Sequence, residues 1–402
     1  MRVLHVTPYY EDAWAYGGIP RVVGRVCRGL AQRRHEVVVC TTDACDETSR
    51  VSAGGRPAVC GRPDVRVFPN ISNRAAYDWQ FFLPVGLGAY LRRHARGFDI
   101  AHLHGCHHIP GAIAARHLRR AGVPYVLSPH GTAPRIERRR FAKYLFDVTI
   151  GRGVLTGAAR VVAVSEAERR QLLRLGVGAD AIEVIPNPID AAEFEPRPVR
   201  RRLRERLAIG DRPLVAFLGK LTPRKRLDVL VDAFARLERD DAVLVIAGND
   251  MGAGRGVRAQ MKGHGIESRT FLLGLVTGRE RLDVLAAADV AVYPGRDEVF
   301  GLVALEAIMA GTPVIVADDS GCAEVIHDIG GGQVVREGDA RALAMAIGGA
   351  IADPVAARRS LAGARARAMA IHADDRIASL IEALYVQVAG IPAMAAALMP
   401  VA

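Results

Sequence analysis

Short apolar runs alternate along this chain with segments whose apolar positions recur at helical spacing. The run at 2–7 (RVLHVT) reads as a buried strand, followed by a loop that carries Tyr9, Tyr10, Trp14 and Tyr16. That loop closes on Gly17-Gly18, where Ile19, Val22, Val23, Val26 and Leu30 begin a helical stripe. Short strands are expected again at 36–41, 65–68, 100–102, 125–127 and 161–165, with helices over 83–96, 110–121 and 166–175. This alternation predicts an α/β fold with a parallel, doubly wound sheet, whose ligands meet the loops beyond the carboxyl ends of the strands.

An arginine- and proline-rich stretch, 195–212, interrupts the pattern and reads as the hinge side of a second domain. Beyond it, strands are expected at 214–218, 243–248, 271–274, 290–293 and 313–317. Helices are expected over 227–237 and 281–287, another from near Phe300 to Gly311, and the last ones between 340 and 388. At 402 residues the chain is long for one core and suits two domains.

Composition narrows the class. With 50% hydrophobic and 24% charged residues, the chain is of ordinary globular type, neither disordered nor fibrous. No apolar run reaches membrane-spanning length, and the N-terminus enters a strand without a signal-type segment, so a cytoplasmic location is the expectation. Six cysteines show no Cys-x-x-Cys pair and are expected to be thiols. A net charge of +11 raises nucleic acid as a partner, but the basic residues are mostly scattered arginines, so no nucleic acid is expected. The one concentrated patch is Arg135, Arg138, Arg139, Arg140 and Lys143, interleaved with Phe141, Tyr144, Leu145 and Phe146. On a helix it makes either a solvated face or a surface for anionic lipid headgroups, with the protein peripheral to the inner face of a membrane.

The densest chemistry lies at 293–325 (YPGRDEVFGLVALEAIMAGTPVIVADDSGCAEV). Glu298 precedes the expected helix and Glu306 stands about two turns into it, so the pair could hold two ends of an extended ligand. Between them, Val299, Phe300, Gly301 and Leu302 offer amides that no earlier turn satisfies, which favours a phosphate, and Gly301 permits close approach. The same pattern fits a blander reading: Glu298 complements the helix dipole and Glu306 lies exposed on an amphipathic helix. Lys220 and Lys225, on one loop after a buried strand, could clamp a diphosphate or form a solvated basic loop. In the first half, Gly17 and Gly18 open a helix in a ligand-facing position, and His130 lies in the loop SPHGT, where a structural hydrogen-bonding role is the common one. His102, His104, His107 and His108 crowd one segment, yet no nearby carboxylate or cysteine completes a set, and no metal or other cofactor is expected.

Taken together, EVFGLVALE, AGTPVI and GCAEV resemble the E-x7-E segment of the retaining glycosyltransferases of GT-B fold, family 4. SPHGT is similar to that family's His-Gly loop, VIPNPID (184–190) to its I-P-N-G-[IV]-D segment with Pro188 for Gly, and GKLTPRKR to its G-R-L-x-x-x-K-G. In that last motif Lys220 stands where Arg is usual, and Arg226 replaces Gly. The resemblance implies two Rossmann-like domains, 1–190 on the acceptor side and 191–375 on the nucleotide-sugar side, facing an interdomain cleft, with 376–402 crossing back. It implies transfer of a sugar, with retention, from a nucleotide-diphospho-sugar to a glycan or lipid-linked acceptor. Lys225 and Lys220, with the amides around Phe300, Gly301 and Leu302, would then hold the donor diphosphate; Glu306 the ribose, Glu298 and His130 the sugar, Leu275 the base, and Gly17 and Gly18 the phosphates and acceptor. No Asp-x-Asp occurs in the chain, which argues against the metal-dependent glycosyltransferases that carry a divalent ion on that motif. A sugar-nucleotide 2-epimerase of the same architecture is the alternative reading.

Overall fold

In a computed structural model, which describes residues 1–52, 55–134 and 140–390, the apolar runs pair into two all-parallel sheets. The chain divides into two compact units, residues 1–188 together with the C-terminal helix Asp374–Ala389, and Ile189–Ala373. The first sheet contains β1 (Arg2–Val6), β2 (Glu36–Thr42), β3 (Asp64–Phe68), β4 (Ile100–His104), β5 (Tyr125–Ser128), β6 (Arg160–Ala163) and β7 (Ile182–Val184), in the order β3-β2-β1-β4-β5-β6-β7. The second contains β8 (Leu214–Leu218), β9 (Val243–Ala247), β10 (Thr270–Gly274), β11 (Val290–Tyr293), β12 (Val314–Ala317) and β13 (Gly332–Val335), in the order β10-β9-β8-β11-β12-β13.

The central strands read as unbroken apolar runs because both faces of each sheet are covered. On the Val3 face of the first sheet, helix Ile19–Gln32 contributes Val23, Val26, Cys27 and Leu30, and helix Asp374–Ala389 contributes Ile377, Ile381 and Tyr385. Gly29 lets those helices touch, since a Cβ there would lie 2.7 Å from the Ala378 Cβ. Leu4 faces the other way, toward Leu87, Leu91 and Leu118.

Each sheet reverses its strand order once, between β1 and β4 and between β8 and β11. Loops diverge there, which opens a crevice at the carboxyl ends of the strands. The loop ending in Gly17-Gly18 follows β1, the loop with Lys220 and Lys225 follows β8, and 294–301 follows β11.

Three local expectations change. The helix expected over 83–96 is confined to Leu87–His94, because Pro84 and the left-handed Gly86 precede it. An unexpected helix, Asn73–Trp79, is capped by the Ser72 hydroxyl accepting from the Ala75 amide. The helix expected from near Phe300 begins at Leu302, so Glu306 sits just past its first turn, not two turns in.

Candidate active site

In the second unit, the turn Pro223–Lys225 carries Lys225 back over the sheet. Its ammonium donates to Glu298 Oε1 at 2.8 Å and to the Tyr293 hydroxyl, and lies 4.6 Å from the centre of the Tyr293 ring. Arg224 Nε stands 3.5 Å from the same carboxylate oxygen. Lys225 and Glu298 are both buried. Burial alone would raise the Glu298 pKa, but the Lys225 ammonium, then Arg224 and Lys220, outweigh it and hold the carboxyl below its usual range. The result is an ionised carboxylate with three cations around it.

The approach to helix Leu302–Ala310 is fixed by two glycines. A Cβ on Gly321 would lie 2.0 Å from the Val299 carbonyl oxygen, while the Gly321 amide donates to the Glu298 carbonyl at 2.6 Å. At Gly301 a Cβ would meet Cys322 Cα at 3.0 Å, so this glycine serves a close approach of the protein's own backbone. Among the described residues, the Phe300 and Gly301 amides donate no hydrogen bond.

Glu306 is wholly enclosed, on a helix buried nearly all round, and Arg281 Nη2 lies 3.6 Å from its Oε1. An exposed Glu306 on an amphipathic helix is therefore excluded. Arg281 also hydrogen-bonds Glu193, which makes it the centre of a Glu193–Arg281–Glu306 group. Leu275 is 40% exposed at the carboxyl end of edge strand β10. Of the sequence-derived residues, the structure thus brings Lys225 and Glu298 into contact with Lys220 nearby, and sets Glu306 on its own partner. Arg224 and Arg281 were not singled out from the sequence; Arg224 adjoins Lys225 and was legible as a third cation, whereas Arg281 lies in an ordinary helical stripe.

In the first unit, Gly17 has φ 94°, ψ −142°, a conformation open essentially to glycine alone, and Gly18 caps helix Ile19–Gln32. His130 and Gly131 are both left-handed, with φ 52° and 76°. The loop is held by Glu168, whose carboxylate accepts from the Gly131 amide and, at 2.8 Å, from the Val164 amide; burial pushes Glu168 up to about 7. His130 Nε2 lies 3.1 Å from His104 Nδ1, and His104 Nε2 lies 2.9 Å from His5 Nδ1. Tyr385 Oη stands 3.5 Å from His5 Nε2 and 2.6 Å from His102 Nδ1, and His102 Nε2 is 2.7 Å from Ser128 Oγ. Burial lowers His5 to about 3 and His130 to about 4, and holds His102 and His104 well below 6.5, so these rings are neutral near pH 7.

The four crowded histidines separate in the fold. His107 pairs with Asp147 at 2.8 Å, and His108 caps helix Ile109–Ala121, accepting from the Gly111 amide at 3.0 Å. His5, not weighed in the sequence, joins His102 and His104, each offering a ring nitrogen within 4.8 Å of the others. Three imidazoles could ligate one cation, but every nitrogen of these three rings is already in a hydrogen-bonding contact. Of the basic patch, Arg135, Arg138 and Arg139 lie outside the described residues, as does the side chain of Arg140. Next to it, Tyr144, Leu145, Val148 and Ile150 are at least half exposed.

Two Rossmann-like parallel-sheet units, one with a basic, amide-rich loop pair at its switch point, define the GT-B class. Residues 16–193 match the family model described as Glycosyltransferase Family 4, and 199–369 match Glycosyl transferases group 1. The chain is 32% identical to a D-inositol 3-phosphate glycosyltransferase of Xylanimonas cellulosilytica, covering 95% of each chain. A protein of the same name from Nocardia farcinica is 32% identical over 89% of this chain and 82% of its own. The fold is similar to that of Anabaena HepE in complex with UDP and glucose, with TM-score 0.75 at 20% identity, covering 96% of this chain and all of that one. The chain belongs to the group 1 glycosyltransferases of GT-B fold, and the family and fold expected from the resemblance are borne out.

Proposed function

We propose that this glycosyltransferase moves a sugar from a nucleotide-diphospho-sugar to a glycan or lipid-linked acceptor, with retention of configuration and without a metal. The observation that carries this reading is the buried Lys225–Glu298 pair, with Arg224 and Lys220 beside it and open amides at Phe300 and Gly301. A leaving diphosphate gains negative charge as the bond from its oxygen to the sugar carbon breaks. Fixed cations in a water-poor site stabilise that charge far better than in bulk water. These cations meet the need that a divalent ion serves elsewhere. In this reading Lys225 and Lys220 hold the diphosphate, Glu298 and His130 the sugar hydroxyls, and Glu306, oriented by Arg281, the ribose. UDP and UDP-glucose, which HepE binds in its structures, indicate the donor type.

A more specific acceptor is favoured by the relatives named D-inositol 3-phosphate glycosyltransferases: a phosphorylated polyol. We also read the exposed apolar residues beside the basic patch as a contact with anionic lipid at the inner face of a membrane.

Nucleotide release from a panel of sugar nucleotides, with and without glycan, lipid and inositol phosphate acceptors and with excess EDTA, tests the main reading. Release that needs an acceptor and survives EDTA is expected; a 2-epimerase would convert donor with no acceptor. Lys225→Ala and Glu306→Ala are expected to lose roughly 100-fold or more in turnover while remaining folded. Wild-type turnover in both variants would end the site assignment.

A further inference from the structure

Tyr293 is the last residue of β11, and its hydroxyl meets the Lys225 ammonium, which comes from the loop after the neighbouring strand β8. Tyr293, Lys225 and Glu298 are all buried. The tyrosine ring has little room to move. Phe217 of β8 stacks on it, with centroids 5.9 Å apart and planes within 9° of parallel. Gly219 leaves the two rings their space, since a Cβ there would lie 3.3 Å from Phe217 Cζ and 3.5 Å from Tyr293 Cε2. Gly295 does the same for Glu298, whose Oε1 would lie 3.3 Å from a Cβ at that position.

The direction of each hydrogen bond is fixed by the chemistry of the three groups. An ammonium has only donors, an ionised carboxylate only acceptors, and a phenol one O–H with lone pairs beside it. Lys225 therefore donates to both partners, to Glu298 Oε1 at 2.8 Å and to the Tyr293 oxygen. Glu298 is held ionised against its burial by Lys225, Arg224 and Lys220. Burial, then the Glu298 charge, keeps the Tyr293 phenol well above 10, so it retains its hydrogen and turns it to the Glu298 carboxylate. No donor and acceptor in this triangle can change places.

An ammonium has three N–H groups, and two of them are engaged here. Among the described residues the third has no acceptor. A single acceptor would let the nitrogen swing round it on its flexible four-carbon stem, whereas two acceptors locate it. With the nitrogen located and two of its N–H bonds directed, tetrahedral geometry leaves one direction for the third. A cation placed in advance needs no reorganisation when a diphosphate takes on charge, and the benefit falls in the transition state, where that charge is growing.

We propose that Tyr293 is a positioning residue, whose hydroxyl oxygen locates the Lys225 ammonium beside Glu298 and leaves its third N–H for an oxygen of the leaving diphosphate. The diphosphate contact rests on the reading of Lys225 given above; the locating of the ammonium does not.

The chain has four lysines, Lys143, Lys220, Lys225 and Lys262, so the full protein labelled with 15N at lysine Nζ gives a simple NMR spectrum without substrate. Lys225 is identified there by its loss in Lys225→Arg. Wild type is expected to show a slowly exchanging Lys225 ammonium. Tyr293→Phe, which keeps the ring and its packing, is expected to speed that exchange several-fold. With the sugar nucleotide turned over fastest in the donor panel, it should lower kcat roughly tenfold and change donor KM by less than about twofold. Phe217→Leu, which loosens the ring behind the hydroxyl, is expected to move the exchange the same way to a lesser degree. In Lys225→Ala, adding Tyr293→Phe should cost no further activity, because it acts through an ammonium that is gone. No slow signal in wild type, or exchange unchanged in Tyr293→Phe, would overturn the proposal. So would a loss that persists in the Lys225→Ala background, which would place the hydroxyl on the substrate. Faster exchange at unchanged kcat, in a protein that Lys225→Ala inactivates, would sink the role in turnover and leave the reading of Lys225 standing. Full activity in Lys225→Ala would end that reading with the triangle intact.

Discussion

Arg226 shows how a single residue adapts a loop built for another. It has φ 51°, the left-handed conformation that glycine adopts freely, and it stands where the resembling motif has glycine. For a residue with a Cβ this conformation costs roughly 1 kcal/mol. The cost is offset by the side chain, which pairs with Asp228 at 3.1 Å and with Glu337. Partly exposed pairs of this sort contribute up to about 1 kcal/mol each. Arg226→Gly should therefore lie within about 1 kcal/mol of wild type, since relief of the backbone balances the lost pairs. Arg226→Ala keeps the strain and loses the pairs, and should be the less stable variant by roughly 1 kcal/mol in urea unfolding. An alanine variant as stable as the glycine variant would show that the backbone is not strained.

Among the elements, the segment after β5 carries a run of exposed apolar side chains. Helix Arg140–Phe146 and the π-helical turn Asp147–Gly151 leave Tyr144, Leu145, Val148 and Ile150 exposed. A double variant, Leu145→Ser with Val148→Ser, should weaken flotation with phosphatidylglycerol vesicles several-fold and leave transfer to a soluble acceptor intact. Flotation equal to wild type would remove the membrane reading. The sequence made the central strands legible, because a strand buried on both faces is an unbroken apolar run, as in VLVIA of β9. It also brought out Lys225 and Glu298, each open to a bland reading as a solvated or helix-capping charge and made telling by the resemblance of its motif. It did not expose His5 or Tyr385: each looks like an ordinary residue of its own element. Their link is made by register and by a helix hundreds of residues away, and short-range periodicity carries no trace of it. Nor did the sequence show that Gly301 also lies close against Cys322 of a later helix.

Across the whole molecule, the titrating groups are unevenly divided. Every histidine with a resolved shift, His5, His35, His102, His104, His107, His108, His117 and His130, lies in the first unit, and each is lowered, with burial the leading cause. For a group whose folded pKa is depressed below 6.5, the unfolded chain binds the proton first. Stability is then complete above pH 6.5 and falls as pH drops toward the folded value, about 4 for His108 and His130 and about 3 for His5. Glu168, raised to about 7, acts oppositely: its contribution is present in acid and lost as pH rises through 7. One carboxyl cannot cancel five deeply shifted histidines, each of which tilts stability by ~1.4 kcal/mol per pH unit. The first unit should therefore weaken steeply between pH 6.5 and 4. Calorimetry at pH 7.5 and pH 5 should show a low-temperature transition separating out in acid. Hydrogen exchange should place it in β1, β4 and β5, with β8 and β11 still protected. Replacing His102 and Ser128 together by Leu and Ala should flatten the pH dependence of that transition, whereas one transition moving uniformly with pH would show that the buried imidazoles are not its origin.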